Sequence, residues 1–403
     1  MNNLITKVSA EEILDSRNTP TLKVSVWCGD IEGIFSVPSG ASTGAHEAYE
    51  LRDEGKHVST AIANVNTKIH EALLGHDVTD QKGVDDILLA LDGTPNKKVL
   101  GGNAIIGVSI ACAKAAAQVQ HEELFAYLRT LATIAPSQKT PFIYMNIING
   151  GKHAKNGLAF QEYHIVPQVD SVVEAVEMGA RIQEVLREDI VAQYGEDSVI
   201  LGDEGGFAPA IQNVREPLVL LVQAIEKAGY TGKVRLALDV AASSFFENGS
   251  YVVDGKNLTP DELYELYESL IAEFNLFSVE DPFDEEDFAS FTKLHAQYPN
   301  LFVVGDDLTV TNTERLGLAI ERKSINAMII KPNQVGSLSE TLATMAMARA
   351  HDVHLIVSHR SGETDDTFIA DLAYAFGCFG LKSGAPRKTE RKVKYDRLEK
   401  ISQ

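Results

Sequence analysis

The sequence predicts an α/β protein, a (β/α)8-type barrel preceded by a smaller α+β domain. Three observations carry that expectation. Beyond Pro141, short apolar runs alternate with stretches of helical periodicity, and each clear run ends on a polar residue. Those ends fall at Asp239, Glu280, Asp306, Lys331, Ser358 and Lys382, in steps of 41, 26, 25, 27 and 24 residues, each with room for a strand, a helix and a return. Before Pro141 the order differs, with strands first and helices after, which is the pattern of an α+β unit.

Taken in order, residues 4–38 read as β. Thr21 to Trp27 alternates, Gly29-Asp30 turns the chain, and Ile31 to Val37 returns it as a hairpin. Residues 57–130 read as helices, and Asn103 to Gln118 is Ala-rich and apolar on several faces, so it is expected to be buried. The small domain is placed at 1–130, a linker at 131–141 around Ala135 to Pro141, and the barrel at 142–403. Continuous apolar strands separated by helices imply a parallel sheet covered on both faces. The number of successive units favours closure, with an open doubly wound sheet as the alternative that spacing leaves open.

Composition narrows the function. Apolar residues make up 44% of the 403 residues and charged residues 23%, a globular profile with a full core. The formal charge of −21 excludes a general footprint for nucleic acid or an anionic membrane, but not a small anionic ligand held by placed cations. Cys28, Cys112 and Cys378 match no zinc spacing or disulfide framework, so a reducing cytoplasm is expected. Met1-Asn2-Asn3-Leu4 has neither the basic nor the apolar region of a signal peptide.

Parallel barrels carry function at the C-terminal ends of their strands. Here those ends present Asp239, Glu280, Asp306, Lys331, the run Ser358 to Ser361, and Lys382. Each acid alone could cap the helix that follows its strand. Three at successive ends repel one another unless a cation lies between them, and hard oxygen ligands suit Mg²⁺. A lysine beside metal and a second ammonium is expected to lose its proton readily and act as a base. That set suits removal of a proton next to a carboxylate, the dianion being held by positive charge. Three further segments stand out: Gly202 to Phe207, with two acids in a glycine-rich turn expected at another strand end; Asn149 to Ala154, a glycine loop with His153; and Pro38 to Gly44, a hydroxyl-rich loop suited to closing over the mouth.

Together the segments resemble the enolases of glycolysis. The motifs are Pro38 to Gly44, Gly202 to Pro209, Asp239 to Ser243, Glu280 to Phe283, Gly305 to Thr311 and Ser358 to Glu363, within a likeness running from Ile13 to Tyr395. The enolase superfamily is itself a standing example of a lysine or histidine base paired with a magnesium-stabilised intermediate. The resemblance implies reversible dehydration of 2-phosphoglycerate to phosphoenolpyruvate. It implies one Mg²⁺ on Asp239, Glu280 and Asp306, and a second arriving with substrate and held by Ser39. Lys331 would take the α-proton, and Glu204, supported by Glu162, would protonate the departing hydroxide. Lys382 would contact the substrate carboxylate and Arg360 and Ser361 the phosphate, with His153, His359 and Ala41 closing around the substrate. It implies a homodimer as well.

Among the chain's departures from the family pattern, two bear on the loops around the site. Asn18-Thr19 stands where Gly-Asn is usual, which bears on the entry loop near Arg17, and Lys152 and Lys155 add charge around His153. Those departures motivate an alternative, a carboxyphosphonoenolpyruvate synthase of phosphonate metabolism built on the same enolate machinery. A non-catalytic binding role is the third reading.

Overall fold

The computed structural model describes residues 3–41, 44–136, 140–211 and 213–403. Ser42 and Thr43 of the hydroxyl-rich loop and residues 137–139 of the expected linker therefore lie outside the described residues.

In the small domain, β1 (Lys7–Leu14), β2 (Pro20–Cys28) and β3 (Ile31–Ser36) form an antiparallel meander. The β2–β3 pair is the expected hairpin, with Cys28 opposite Ile31 across the Gly29-Asp30 turn. One face of this sheet packs on the Ala-rich helix Gly102–Val119, almost all of it buried. Small residues make that approach possible: a Cβ on Gly33 would overlap the Ala111 carbonyl. The helix is long and apolar enough to cross a bilayer by composition, yet 83% of it is buried inside the protein, and it serves here as the core of the small domain.

The second part contains eight strands closed into a barrel. In chain order these are β4 (Phe142–Asn149), β5 (Glu162–Pro167) and β6 (Val234–Asp239), then, after a small antiparallel sheet of β7 (Phe246–Glu247), β8 (Ser250–Val253) and β9 (Lys256–Leu258), β10 (Ser278–Glu280), β11 (Phe302–Gly305), β12 (Ala327–Ile330), β13 (His354–Ser358) and β14 (Gly380–Lys382). The closed-barrel expectation holds, but an all-parallel barrel does not. β5 runs antiparallel to both β4 and β6, because a short connection rather than a helical crossover joins β4 to β5.

One other reading is corrected. Gly202 to Phe207 is a tight turn closed by Gly202 N–H to the Gly206 carbonyl at 2.8 Å, with only isolated bridges at Phe207, and not the end of a strand. β4 and β5 were not among the runs recognised in the sequence, since polar Asn146 and His164 interrupt their apolar pattern.

The barrel is filled from below. Buried Tyr144, Phe277 and Phe379, with half-buried Phe142 and Phe302 packed against them, form an aromatic plug at the ends of the barrel opposite the acids, with the Phe302 and Phe379 rings 4.5 Å apart. With apolar rings occupying the base, the polar side chains are gathered at the other rim.

Candidate active site

The rim is built from strand ends, as the sequence predicted. β6 ends on Asp239, β10 on Glu280 and β14 on Lys382, while Asp306, Lys331 and His359 follow directly on β11, β12 and β13. Glu162 reaches the same rim by the opposite route. It is the first residue of antiparallel β5 and pairs in register with Asp239.

The three acids are not helix caps. The side-chain caps of helices between barrel strands are Ser171, Thr259, Asp287, Asn312 and Ser337, and the acids face lysines instead. The Lys382 ammonium donates to Asp239 Oδ2 at 2.7 Å and to both Glu280 oxygens at 2.8 and 2.9 Å, with Glu162 Oε2 3.4 Å away. Lys331 pairs with Asp306, whose other oxygen accepts from Gln334 Nε2 at 2.9 Å. Burial and repulsion from Asp239 push the Glu280 carboxyl well above the usual range, with Lys382 opposing. Burial also raises Asp239. Lys382 and Lys331 supply the positive charge that buried anions this close require, and carboxylates are hard ligands of the kind that suit a divalent ion such as Mg²⁺.

Among the described residues, two groups bring their ligand atoms within 4.8 Å of one another: His153, Glu162 and Glu204, and Asp281, Asp306 and Asp307. The expected trio of Asp239, Glu280 and Asp306 is not among them: Lys382 bridges Asp239 and Glu280, and Lys331 pairs with Asp306. Burial would lower Lys331, but Asp306 beside it raises it instead. Asp306 is the direct partner of Lys331 in this arrangement.

Across the rim lies a second cluster. His153 Nδ1 is 3.3 Å from Glu162 Oε1 and 3.7 Å from Glu204 Oε1, and His359 Nε2 is 3.2 Å from Glu204 Oε2. Burial and Glu162 raise the Glu204 carboxyl, yet the two imidazoles outweigh them and hold it well below the usual range. Burial lowers His153, but Glu204 and Glu162 raise it overall. His359 is lowered by burial, which Glu204 only partly offsets.

Arg360 pairs with Glu47 of the small domain, at 3.0 Å and 3.2 Å, and also donates to Asn333 Oδ1. Ser361 Oγ accepts from Ala41 N–H at 2.7 Å and from Arg17 Nη1 at 3.1 Å. Ser39 is fully buried, its hydroxyl donating to Asp15 and accepting from Arg17, while its backbone pairs with Gly362. That hydroxyl is committed within the small domain. In the entry loop Asn18 takes φ 57°, a left-handed conformation that asparagine tolerates better than most residues. Lys152 and Lys155 are exposed and do not line the cavity.

Several buried participants carried no sequence signal. Arg391 donates to His359 Nδ1 at 2.6 Å and to the carbonyls of Arg360 and Ser361. His164 supports Glu162 at 2.7 Å, and Asn146 supports Glu204 at 3.0 Å. The polar interruptions at Asn146 and His164 in apolar strands were the one clue available.

Comparison with known proteins is decisive. Residues 5–128 match the enolase N-terminal domain and residues 137–403 the enolase C-terminal TIM barrel domain. The chain belongs to the enolase family. It is 47% identical to the enolase of Methanocaldococcus jannaschii over 99% of this chain and 95% of that one. It is 44% identical to the enolase of Methanococcoides burtonii over 99% and 95%, and 45% identical to enolase 1 of Entamoeba histolytica over 99% and 96%. As a member of that family it is an enzyme, a carbon–oxygen hydro-lyase, on an enolase N-terminal domain joined to a TIM barrel.

Proposed function

We propose that this enolase-family enzyme interconverts 2-phospho-D-glycerate and phosphoenolpyruvate through an enolate, in glycolysis and gluconeogenesis. The observation that carries the reading is one small cavity lined by Lys331 on one side and His153, Glu162 and Glu204 on another, with Lys382, Asp239, Arg360 and Ser361 completing its walls. A base, a proton-holding cluster, a carboxylate contact and a phosphate contact thus face one space. Lys331 removes the α-proton once Asp306 is drawn to another cation. The cluster centred on Glu204 returns a proton to the leaving hydroxide, with His153 as its reservoir. Lys382 pairs with the substrate carboxylate, and Arg360 and Ser361 with its phosphate. Residues Asp239, Glu280 and Asp306 would hold one Mg²⁺, and a second would come with substrate at the hydroxyl-rich loop to which Ser39 belongs. Bound there, the ions would supply the positive charge that stabilises the enolate dianion.

The test is direct. Purified protein with Mg²⁺ and 2-phosphoglycerate is expected to give the enolpyruvate absorbance, and silence at every magnesium concentration would remove the reading. Of the two features that motivate the phosphonate alternative, the pair Lys152 and Lys155 lies at the surface.

We also propose residues 1–130 as the capping domain, 131–141 as the link and 142–403 as the barrel, a division supported by the change from the helix Leu124–Leu131 to β4. A homodimer in the cytoplasm is the accompanying proposal. Membership of the enolase family is what supports the dimer, and light scattering tests it.

A further inference from the structure

We propose that Glu47, a small-domain residue, is a positioning residue that sets the Arg360 guanidinium for phosphate. This rests on the reading of Arg360 as the phosphate contact. Glu47 Oε2 accepts from Arg360 Nη1 at 3.0 Å and Oε1 from Arg360 Nη2 at 3.2 Å, a two-point pairing that fixes the plane of the fork. The pair is nearly dry, with side chains 3% and 8% exposed. Glu47 is itself held on three sides. Its Oε1 also accepts from Gly44 N–H at 3.1 Å and from Gln334 Nε2 at 3.5 Å, and the N–H of the next residue, Ala48, donates to the Gln334 carbonyl at 2.7 Å.

A phosphate arriving at Arg360 either displaces Glu47 or adds to it. Displacement would strand a buried carboxylate with only neutral donors, Gly44 N–H and Gln334, which is strongly unfavourable. Addition leaves the carboxylate in place as the second anion on a shared guanidinium, and the direction in which Arg360 presents its donors is then set from the small domain. Asn333 Oδ1, accepting from Arg360 Nη1 at 3.0 Å, braces the same fork from the barrel side. Gln334 carries the arrangement on to Asp306, so the phosphate contact and the acid rim share one hydrogen-bonded frame.

The phosphate does not react, so its loss as a contact weakens substrate and transition state alike. Glu47→Gln is therefore expected to raise KM for 2-phosphoglycerate and the inhibition constant of inorganic phosphate by about tenfold, the scale of one charge-assisted hydrogen bond. The kcat is expected to stay within about threefold, and magnesium affinity by calorimetry to be unchanged. Tighter phosphate binding in Glu47→Gln would show that the carboxylate competes with phosphate, and would overturn the proposal. So would an unchanged KM accompanied only by a lower melting temperature. If Glu47→Gln does not fold, Asn333→Ala carries the test, with a smaller rise in KM expected and an unchanged KM overturning it. Arg360→Lys in the same assays separates the two levels. An unchanged KM there removes the phosphate reading itself, however Glu47 behaves.

Discussion

At the scale of single residues, the rim is a set of like charges kept in place by opposite ones. Lys382 touches both Asp239 and Glu280, so Lys382→Met leaves two buried carboxylates without their cation. The metal-free variant is expected to lose about 3–5 kcal/mol of stability, and saturating Mg²⁺ to recover part of that loss because it supplies the missing charge. Thermal melts with and without magnesium check this, and equal losses in both conditions would count against it. Lys331→Ala is expected to lower kcat by about 10²–10⁴-fold, the range of a lost general base. It is also expected to abolish exchange of the substrate α-proton with deuterated solvent, which proton NMR reads directly. Asp239, Glu280 and Asp306 were legible in the sequence because a charged residue ending an apolar run is costly without a purpose. Glu47 and Arg391 were not legible. Their partners lie far away in the chain, Arg360 being 313 residues from Glu47, and no local pattern marks such a pairing.

At the scale of elements, the joints between helices and sheets decide the outcome. Asp85 on the helix Gln81–Asp92 is fully buried and accepts from Gln81 and from Ser339 N–H at 2.9 Å, tying the small domain to the barrel helix Leu338–Ala350. Burial raises its carboxyl above the ordinary value of 3.8. A raised carboxyl contributes its stability fully below the unfolded value and loses it as pH rises through the folded value. Asp85→Asn escapes that loss. Its melting temperature relative to the parent protein is therefore expected to increase from pH 4 to pH 8, and a flat or falling difference would contradict the assignment. Gly33→Ala would press a methyl into the Ala111 carbonyl, and a loss of about 1–3 kcal/mol by denaturant unfolding is expected for such overpacking. The hairpin, the buried Ala-rich helix and six of the barrel strands followed from periodicity. β4 and β5 did not, because strand direction is not written in side-chain pattern and polar residues within them break the apolar run.

For the molecule as a whole, 403 residues carry a net charge of −21. Repulsion among surface carboxylates opposes compactness and is screened within a Debye length of about 8 Å at physiological ionic strength. Raising sodium chloride from very low concentration to physiological levels is thus expected to raise the melting temperature, as calorimetry would show. A decrease would mean that surface ion pairs outweigh the net repulsion. The architecture was largely readable because βα spacing counts units. The docking of the small domain on the barrel through Ser39, Gly362, Glu47 and Arg360 was not, because it joins the two halves of the chain.

The reversed direction of β5 has an evolutionary consequence. In an ordinary βα unit, the rim loop ends in a helix whose packing fixes its length and exit. Between β4 and β5 both ends of the rim segment are anchored in neighbouring, hydrogen-bonded strands. Residues inserted among 150–161 would bulge outward without shifting the register of any strand. This is the part of the rim where drift can rewrite which substrates are admitted while the scaffold beneath is inherited intact, and Lys152 and Lys155 lie within it.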